Sequence, residues 1–155
     1  FTFTARNPGG HSSAPRADNA IYELAAALRR LRAFEFPIQW NETTLISFRN
    51  AATAFPGPDG DAMRRFAERP NDRAAQRTMA RNPSLSTMMR TTCVATMLSG
   101  GHAENALPQT ATATVNCRIF PGAAVADIQS ELQGIAGAGG EVAPLGPSSA
   151  SDASR

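Results

Sequence analysis

The stretch Thr110-Ala-Thr-Ala-Thr-Val-Asn-Cys-Arg-Ile-Phe120 alternates apolar and polar side chains with a period of two. This period predicts a strand with one buried face and one open face, because successive side chains of a strand point to opposite sides. The predicted core face carries Ala111, Ala113, Val115, Cys117 and Ile119. The predicted open face carries Thr110, Thr112, Thr114, Asn116 and Arg118.

A second run, Thr91–Leu98, is also rich in strand formers, and a Gly-rich segment over residues 99–109 joins it to the first. The two runs predict a hairpin with a long loop. If the hairpin is centred near residue 105, Cys93 and Cys117 lie opposite one another on the core face. We expect two free thiols rather than a disulfide, because free Cys commonly behaves as a small buried hydrophobe.

The segments outside the hairpin complete a sheet with two helices. Phe1–Arg6 alternates like a strand, and Glu141–Leu145 predicts a short edge strand. Between them, two segments repeat apolar residues with helical spacing, Asp18–Leu31 and Ala124–Ile135. The apolar stripe predicted for the first helix is Ile21, Leu24, Ala25, Leu28 and Leu31. The order predicts an α+β fold, a ferredoxin-like sandwich with a four-stranded antiparallel sheet and two helices on one face.

Residues 38–89 depart from this pattern and predict a helical insertion. Its predicted helices cover about Thr44–Ala54, Asp61–Glu68 and Asp72–Ala80, separated by segments that contain proline. We assign residues 1–146 to one domain. Residues 147–155 are Ser-rich and predict a linker.

Composition narrows the functional class. The chain has 155 residues, 42% of them hydrophobic, which suits one globular domain. All 15 basic residues are arginines, yet the net charge is only +2 and the arginines are dispersed. We therefore expect no nucleic-acid partner. No apolar run approaches the ~20 residues of a membrane-spanning helix, so we also expect no membrane partner.

Three motifs carry the chemistry. Gly9-Gly-His11-Ser-Ser13-x-Pro15 is followed by Asn19-Ala-Ile21 at the start of a helix. Gly100-Gly-His102-x-x-Asn105-x-Leu-Pro108 lies in the hairpin loop, and Asn116-Cys-Arg118 follows in the second strand. Together they resemble the co-catalytic zinc metallopeptidase family that includes bacterial carboxypeptidase G, aminoacylase, succinyl-diaminopimelate desuccinylase and yeast carboxypeptidase S. The resemblance covers both ends of the chain and the hairpin.

The resemblance implies roles for three of these residues. His11 would bind the substrate carbonyl and stabilise the oxyanion, in known dimers at the active site of the partner subunit. Asn105 would hydrogen-bond the substrate, and Arg118 would grip its terminal carboxylate. Without the resemblance, His11 and Arg118 read as ordinary surface residues and Asn105 as a turn former. Whether His102 touches substrate stays open.

The resemblance also implies what lies outside this sequence. The family's zinc ligands and general base require a His-x-Asp motif and a Glu-Glu pair, and this sequence has neither. We therefore expect a lid or dimerisation domain that is inert by itself and binds no cofactor, beside a catalytic domain holding two zinc ions. The substrate would be a peptide or N-acyl amino acid. Self-association through the first helix and an edge strand is one alternative, and coverage of that surface by the insertion is the other. A rival hypothesis is a stand-alone ferredoxin-like binding or dimerisation module.

Overall fold

Six strands form two antiparallel sheets in the computed structural model, which describes residues 1–146. The larger sheet has the order β3-β5-β1-β6, and β2 pairs only with β4. The strands are β1 (Thr2–Arg6), β2 (Gly10–His11), β3 (Thr92–Gly100), β4 (Ala106–Leu107), β5 (Thr110–Arg118) and β6 (Gly140–Ala143). The helices are α1 (Ala20–Ala33), α2 (Glu42–Ala51), α3 (Pro58–Glu68), α4 (Arg73–Arg81), α5 (Pro83–Met88) and α6 (Val125–Ala136).

The first of two compact units contains the larger sheet, α1 and α6, from Phe1–Glu35, Cys93–Arg118 and the described residues after Gly122. Helix α1 packs on β1 and β5, and α6 packs on α1 and β6. Two helices on one face of this strand order confirm the predicted ferredoxin-like sandwich. The predicted linker, residues 147–155, lies outside the described residues.

The buried face of this sheet alternates large and small side chains. Phe3 pairs with Ala113 on one side of β1 and with Val142 on the other, while Ala5 pairs with Ala111. All five are almost fully buried. The small residues leave room for the helices to approach the sheet, and the large ones fill the space between the layers. The core face predicted from the β5 alternation is confirmed at Ala111, Ala113 and Val115, whereas Cys117 is half-buried and Ile119 lies beyond the end of the strand.

Hydrogen bonds at their ends fix the two helices of this unit. The Asn19 side chain accepts from the Ile21 backbone N–H at 2.8 Å, so Asn19 is the N-cap of α1. Near the other end of α1, Arg30 donates to the carbonyls of Ile135 and Ala136 at 2.6 and 2.7 Å. These carbonyls belong to the last turn of α6, where a cation complements the helix dipole. Arg30 therefore ties the two helices together.

The second unit comprises Phe36–Thr92 and Ile119–Gly122 and has its own core. Phe48 and Phe66 meet edge to face with ring centroids 5.5 Å apart, and Trp40 meets Phe66 in the same way at 6.1 Å. Met63, Met79, Leu85 and Met89 lie in the same buried cluster as Phe48 and Phe66. The sequence missed α5, because Asn82-Pro83 reads as a helix breaker. Here the Asn82 side chain accepts from the Ser84 N–H, and Pro83 occupies the first helical position, where its missing N–H costs nothing.

The expectation of free thiols was wrong, since Cys93 and Cys117 form a disulfide. The two Cα atoms lie 4.1 Å apart on neighbouring strands, within reach of a direct bridge. Both residues are half-buried rather than enclosed. The rule for free Cys applies to side chains packed inside a core, and β3 is an edge strand that is exposed along most of its length.

Candidate functional site

The β2–β4 ladder brings two Gly-rich loops together. Gly10 pairs with Leu107, and His11 pairs with Ala106. Immediately beyond this ladder, the Ser12 backbone N–H donates to the Asn105 carbonyl at 2.9 Å. His11 and Asn105, which are 94 positions apart in sequence, are therefore neighbours in the fold. The sequence did not predict this ladder, because two residues are too few to show a period.

Glycine allows the close approach of these loops. Gly9 has φ +78°, and Gly10 has φ +152°, both in regions that side chains other than hydrogen disfavour. A Cβ at Gly9 would lie 2.8 Å from Cγ of Gln109 and 3.3 Å from the Leu107 carbonyl oxygen. The glycines before His11 thus set both the direction of the chain and its distance from the hairpin loop.

The His11 side chain is exposed, and the turn that follows it fixes its ring. The Ala14 N–H donates to the His11 carbonyl at 3.0 Å, which closes a turn with Ser12 and Ser13 at its corner. Nδ1 of His11 lies 2.8 Å from Oγ of Ser13 and accepts from the Ser13 N–H at 3.2 Å. Nε2 has no hydrogen-bond partner within residues 1–146. That nitrogen is open to a ligand.

Asn105 is exposed on the hairpin loop beside His11. Its backbone carbonyl holds Ser12, while its side-chain amide makes no hydrogen bond inside the described part of the chain. The amide offers one acceptor and two donor hydrogens. His102 also lies exposed in this loop, and no contact joins it to His11 or Asn105 among the hydrogen bonds of the described residues.

Arg118 lies at the far end of β5 from this loop pair. Thr110 begins the strand three residues after Leu107 of β4, and Arg118 ends it. Eight residues of strand span roughly 26 Å at about 3.3 Å each. The Arg118 guanidinium is exposed and has no ion pair in the described ranges. The structure thus brings His11 and Asn105 together and leaves Arg118 apart from them.

An ion pair ends the loop that carries His11. Arg16 donates through Nε and a terminal nitrogen to the two Asp18 carboxylate oxygens, at 2.8 and 2.7 Å. This hydrogen bonding lowers the pKa of Asp18 to about 2, so the carboxylate stays charged at neutral pH. The pair precedes Asn19, the N-cap of α1. The loop is therefore held at one end by the helix and at the other by the β2–β4 ladder.

A groove along α1 and β3 is a second feature of this unit. Its volume is about 310 Å³, and its lining includes Ile21, Ala25 and Leu28 from α1 and Leu98 from β3. Four of the five residues of the apolar stripe predicted for α1 therefore line this groove, and only Leu24 among them is buried. On β3, Val94, Met97 and Leu98 are 60–69% exposed. Large exposed apolar patches mark interaction surfaces.

Two further properties concern the described residues as a whole. Within residues 1–146, no three His, Cys, Asp or Glu side chains lie close enough together to hold a metal ion. Over the same residues, none of the helices combines the length and the apolar character needed to cross a bilayer.

Comparison with known proteins agrees with the motifs. A family model described as the peptidase dimerisation domain matches residues 1–142. The chain is 36% identical over 121 residues to an N-fatty-acyl-amino acid synthase/hydrolase of Homo sapiens, covering 77% of this chain and 24% of that protein. The corresponding protein of Mus musculus is 34% identical over 121 residues, with the same coverage. A probable carboxypeptidase S-like protein of Dictyostelium discoideum is 32% identical over 123 residues, covering 77% of this chain and 22% of that protein.

The chain thus spans about a quarter of the length of these relatives. The matched region, residues 1–142, includes all three motifs and nearly all of the described chain. The resemblance to the metallopeptidase family is confirmed by the family model and by these relatives. This chain belongs to the peptidase dimerisation domain family of metallopeptidases.

Proposed function

We propose that this chain is the lid and dimerisation domain of a zinc-dependent exopeptidase or amidohydrolase and supplies substrate-binding groups to its active site. The β2–β4 ladder is the observation that carries the proposal, because it sets His11 beside Asn105 on an exposed pair of loops. Both side chains there have atoms open to a ligand. The isolated chain would bind no zinc and would have no hydrolytic activity.

The zinc ions would belong to a catalytic domain beyond these residues. A catalytic zinc takes three protein ligands at about 2.0–2.2 Å, and residues 1–146 offer no such group. When bound in the parent enzyme, zinc would polarise the scissile carbonyl and activate water. The roles assigned to this chain are confined to binding and charge stabilisation.

His11 and Asn105 would act on the reacting carbonyl. Attack on an amide places negative charge on the carbonyl oxygen, and preorganised N–H donors stabilise that charge. The Nε2 position of His11 and the amide of Asn105 are suitable donors, because neither is consumed by a bond within the fold. The backbone bond between Ser12 and Asn105 would hold the two side chains in a constant relation.

Arg118 would bind the free carboxylate of the substrate, since a guanidinium matches a carboxylate with two parallel hydrogen bonds. The strand length of roughly 26 Å between Thr110 and Arg118 far exceeds the distance between a scissile amide and the carboxylate next to it. His11 and Arg118 of one chain therefore cannot serve one substrate together. We assign them to two different active sites of a homodimer, with His11 and Asn105 acting on the partner subunit.

A dimer surface is available on β3 and α1. β3 is an outer strand, so one edge of its backbone lacks a neighbouring strand in the sheet. The exposed side chains of Val94, Met97 and Leu98 adjoin this edge, and the groove of α1 lies beside it. A second copy could pair with the edge and fill the groove, which would bury both.

The substrate class follows from the relatives and from Arg118. The Homo sapiens and Mus musculus relatives are named for synthesis and hydrolysis of N-fatty-acyl amino acids. An N-acyl amino acid carries an amide next to a free carboxylate, the two groups that His11 and Arg118 would bind. We propose an N-acyl amino acid or a peptide with a free C-terminus.

Substitution of His11 tests the central role. In the full-length protein, His11→Ala should lower kcat by about 10²- to 10³-fold, as expected for one lost oxyanion donor. The zinc content of the variant should be unchanged, because His11 is not a ligand. Ser12→Ala is the control and should retain activity, because the bond from the Ser12 N–H to the Asn105 carbonyl does not depend on the side chain. Normal turnover by zinc-loaded His11→Ala enzyme would end the proposal.

Mixing of inactive variants tests the division between subunits. In a mixed dimer of His11→Ala and Arg118→Ala subunits, the site of the first subunit has its own Arg118 and its partner's His11 and is intact, while the other site lacks both groups. Random exchange makes about half of the dimers mixed, so about a quarter of the wild-type activity should return. His11→Ala mixed with Asn105→Ala is the control, because every site of that mixed dimer lacks one group. Equal recovery in both mixtures, or recovery in neither, would contradict action across the dimer.

The dimer surface has its own test. Leu98→Asp should shift the molecular mass of this chain from dimer to monomer in light scattering, because it places a charge in the apolar contact. Leu145 is equally exposed and follows the opposite edge strand β6, so Leu145→Asp is the control. A Leu98→Asp variant that dimerises like wild type would refute this surface.

A further inference from the structure

The atoms around Nδ1 of His11 determine where the imidazole carries its proton. The Ser13 backbone N–H donates to Nδ1 at 3.2 Å, and Ser13 Oγ lies 2.8 Å from the same nitrogen. A backbone N–H is a donor only, so Nδ1 must accept and cannot itself carry hydrogen. The neutral ring then carries its proton on Nε2, the nitrogen that has no hydrogen-bond partner within residues 1–146.

The hydroxyl alone would leave the tautomer undecided. Oγ of Ser13 can donate to a bare Nδ1 or accept from Nδ1–H. In the second arrangement, however, the Ser13 N–H would point at another donor hydrogen. The backbone bond therefore selects the first arrangement, in which the hydroxyl and the N–H both donate to Nδ1.

The turn makes this arrangement a property of the local fold. The Ala14 N–H to His11 carbonyl bond folds residues 11–14 back on themselves, which directs the Ser13 N–H toward the imidazole. The side chain of His11 accepts from the residue two positions later, as an Asx side chain does in an Asx-turn. The Ser12 bond to the Asn105 carbonyl anchors the same turn to the hairpin loop.

We propose that Ser13 is a positioning residue that holds His11 as the Nε2–H tautomer and fixes the direction of its ring. This inference rests on the proposed function for its catalytic meaning. An oxyanion needs a donor, and only the Nε2–H form presents one on the open side of the ring. Ser13 itself would not touch substrate.

Nitrogen-15 spectroscopy of this chain tests the tautomer directly. The chain has two histidines, and His102 is exposed and serves as the reference for a ring averaged by solvent. At a pH about two units above the ordinary imidazole pKa of ~6.5, the two nitrogen shifts of His11 should be further apart than those of His102, with the protonated nitrogen at Nε2. Equal separations in His11 and His102, or a proton on Nδ1, would overturn the inference.

Variants of the adjacent serines give a matched comparison. Ser13→Ala removes one of the two donors to Nδ1 and leaves the backbone N–H, so the His11 shifts should move part of the way toward those of His102. Ser13→Thr retains a hydroxyl and should restore them. Ser12→Ala is the control, because the Ser12 side chain does not contact the ring. A Ser13→Ala spectrum identical to wild type would contradict the positioning role of the hydroxyl.

Kinetics of the full-length protein connect the tautomer to catalysis. Ser13→Ala should lower kcat by about fivefold with little change in KM, the effect of one neutral hydrogen bond. Ser12→Ala should leave kcat unchanged. An unchanged kcat for Ser13→Ala would overturn the role of Ser13 as a positioning residue in catalysis. The proposed function fails if His11→Ala turns over substrate normally. That outcome would not affect the tautomer found by nitrogen-15 spectroscopy, so the two failures can be told apart.

Discussion

Removal of the Cys93–Cys117 disulfide should destabilise the sheet unit by about 3 kcal/mol, because the bond restricts the unfolded chain. The two cysteines are 24 residues apart, and the chain-entropy relation for a loop of that length gives a value of this order. The bond also holds the outer strand β3, whose faces are largely exposed and so contribute little packing. The double variant Cys93→Ser with Cys117→Ser removes the disulfide without changing a large buried side chain. The native strand pairing can therefore remain in the variant.

The assay compares urea unfolding of wild type and the double serine variant, each with and without reductant. Hydrogen exchange of β3 and β5 amides reports the sheet unit, while fluorescence of the only tryptophan, Trp40, reports the helical unit. Wild type should lose stability on reduction, and the variant should not respond. Titration of thiols in denaturant without reductant should find none in wild type. Two titratable thiols, or a variant as stable as oxidised wild type, would refute the reasoning.

Three further predictions concern the second core, the loop glycine and an ion pair. Phe66→Ala should destabilise the helical unit by about 3–5 kcal/mol, the usual cost of truncating a buried phenylalanine. Urea unfolding followed by tryptophan fluorescence measures this loss. A loss below about 1 kcal/mol would show that the ring is not part of a packed core. Gly9→Ala should open the β2–β4 ladder, because position 9 has a positive φ and a Cβ there would press against the hairpin loop. Faster hydrogen exchange of the Ser12 amide would report the opening, and an unchanged exchange rate would contradict the prediction. The Arg65 guanidinium holds the pKa of Asp72 well below its usual range. The ionised Asp72 carboxylate therefore contributes its full stabilisation above the pKa of about 3.9 that Asp has in the unfolded chain. This stabilisation is lost as the pH falls through the lower pKa of the folded state. Asp72→Asn should therefore flatten the decline in unfolding midpoint below pH ~4, and a decline equal to that of wild type would exclude this pair as its source.

The sheet could be predicted from sequence because its signal is local. Alternation along Thr110–Phe120 reports which side chains face the core, whatever lies on the other side. The observed strand, Thr110–Arg118, differs from the predicted one only at its end. Helix α5 could not be predicted in the same way. Its start depends on a cap made by the Asn82 side chain, and the same Asn-Pro pair also ends helices and begins turns.

The candidate site was less accessible to sequence reasoning than the fold. His11, Asn105 and Arg118 were identified by resemblance, and their catalytic roles stay predictions. Their arrangement depends on the pairing of residues about a hundred positions apart, for which neither loop has a periodic signal. Ser13 lies in a quoted motif, but the sequence assigns it no role, because it does not show the turn that brings the Ser13 N–H and hydroxyl to the His11 ring.

Under the proposed function, the apolar stripe of α1 would couple self-association to substrate binding. An amphipathic helix that only covers a sheet needs one buried stripe, and Leu24 and Leu31 of α1 already provide it. Ile21, Ala25 and Leu28 line the groove beside β3 instead. The same hairpin carries this groove edge on β3, Asn105 in its loop and Arg118 at the end of β5. Because one hairpin joins the three, a partner seated on β3 would set the distance from each chain's loop pair to the other chain's arginine. Dimerisation would then be a condition for assembling the site rather than an addition to it.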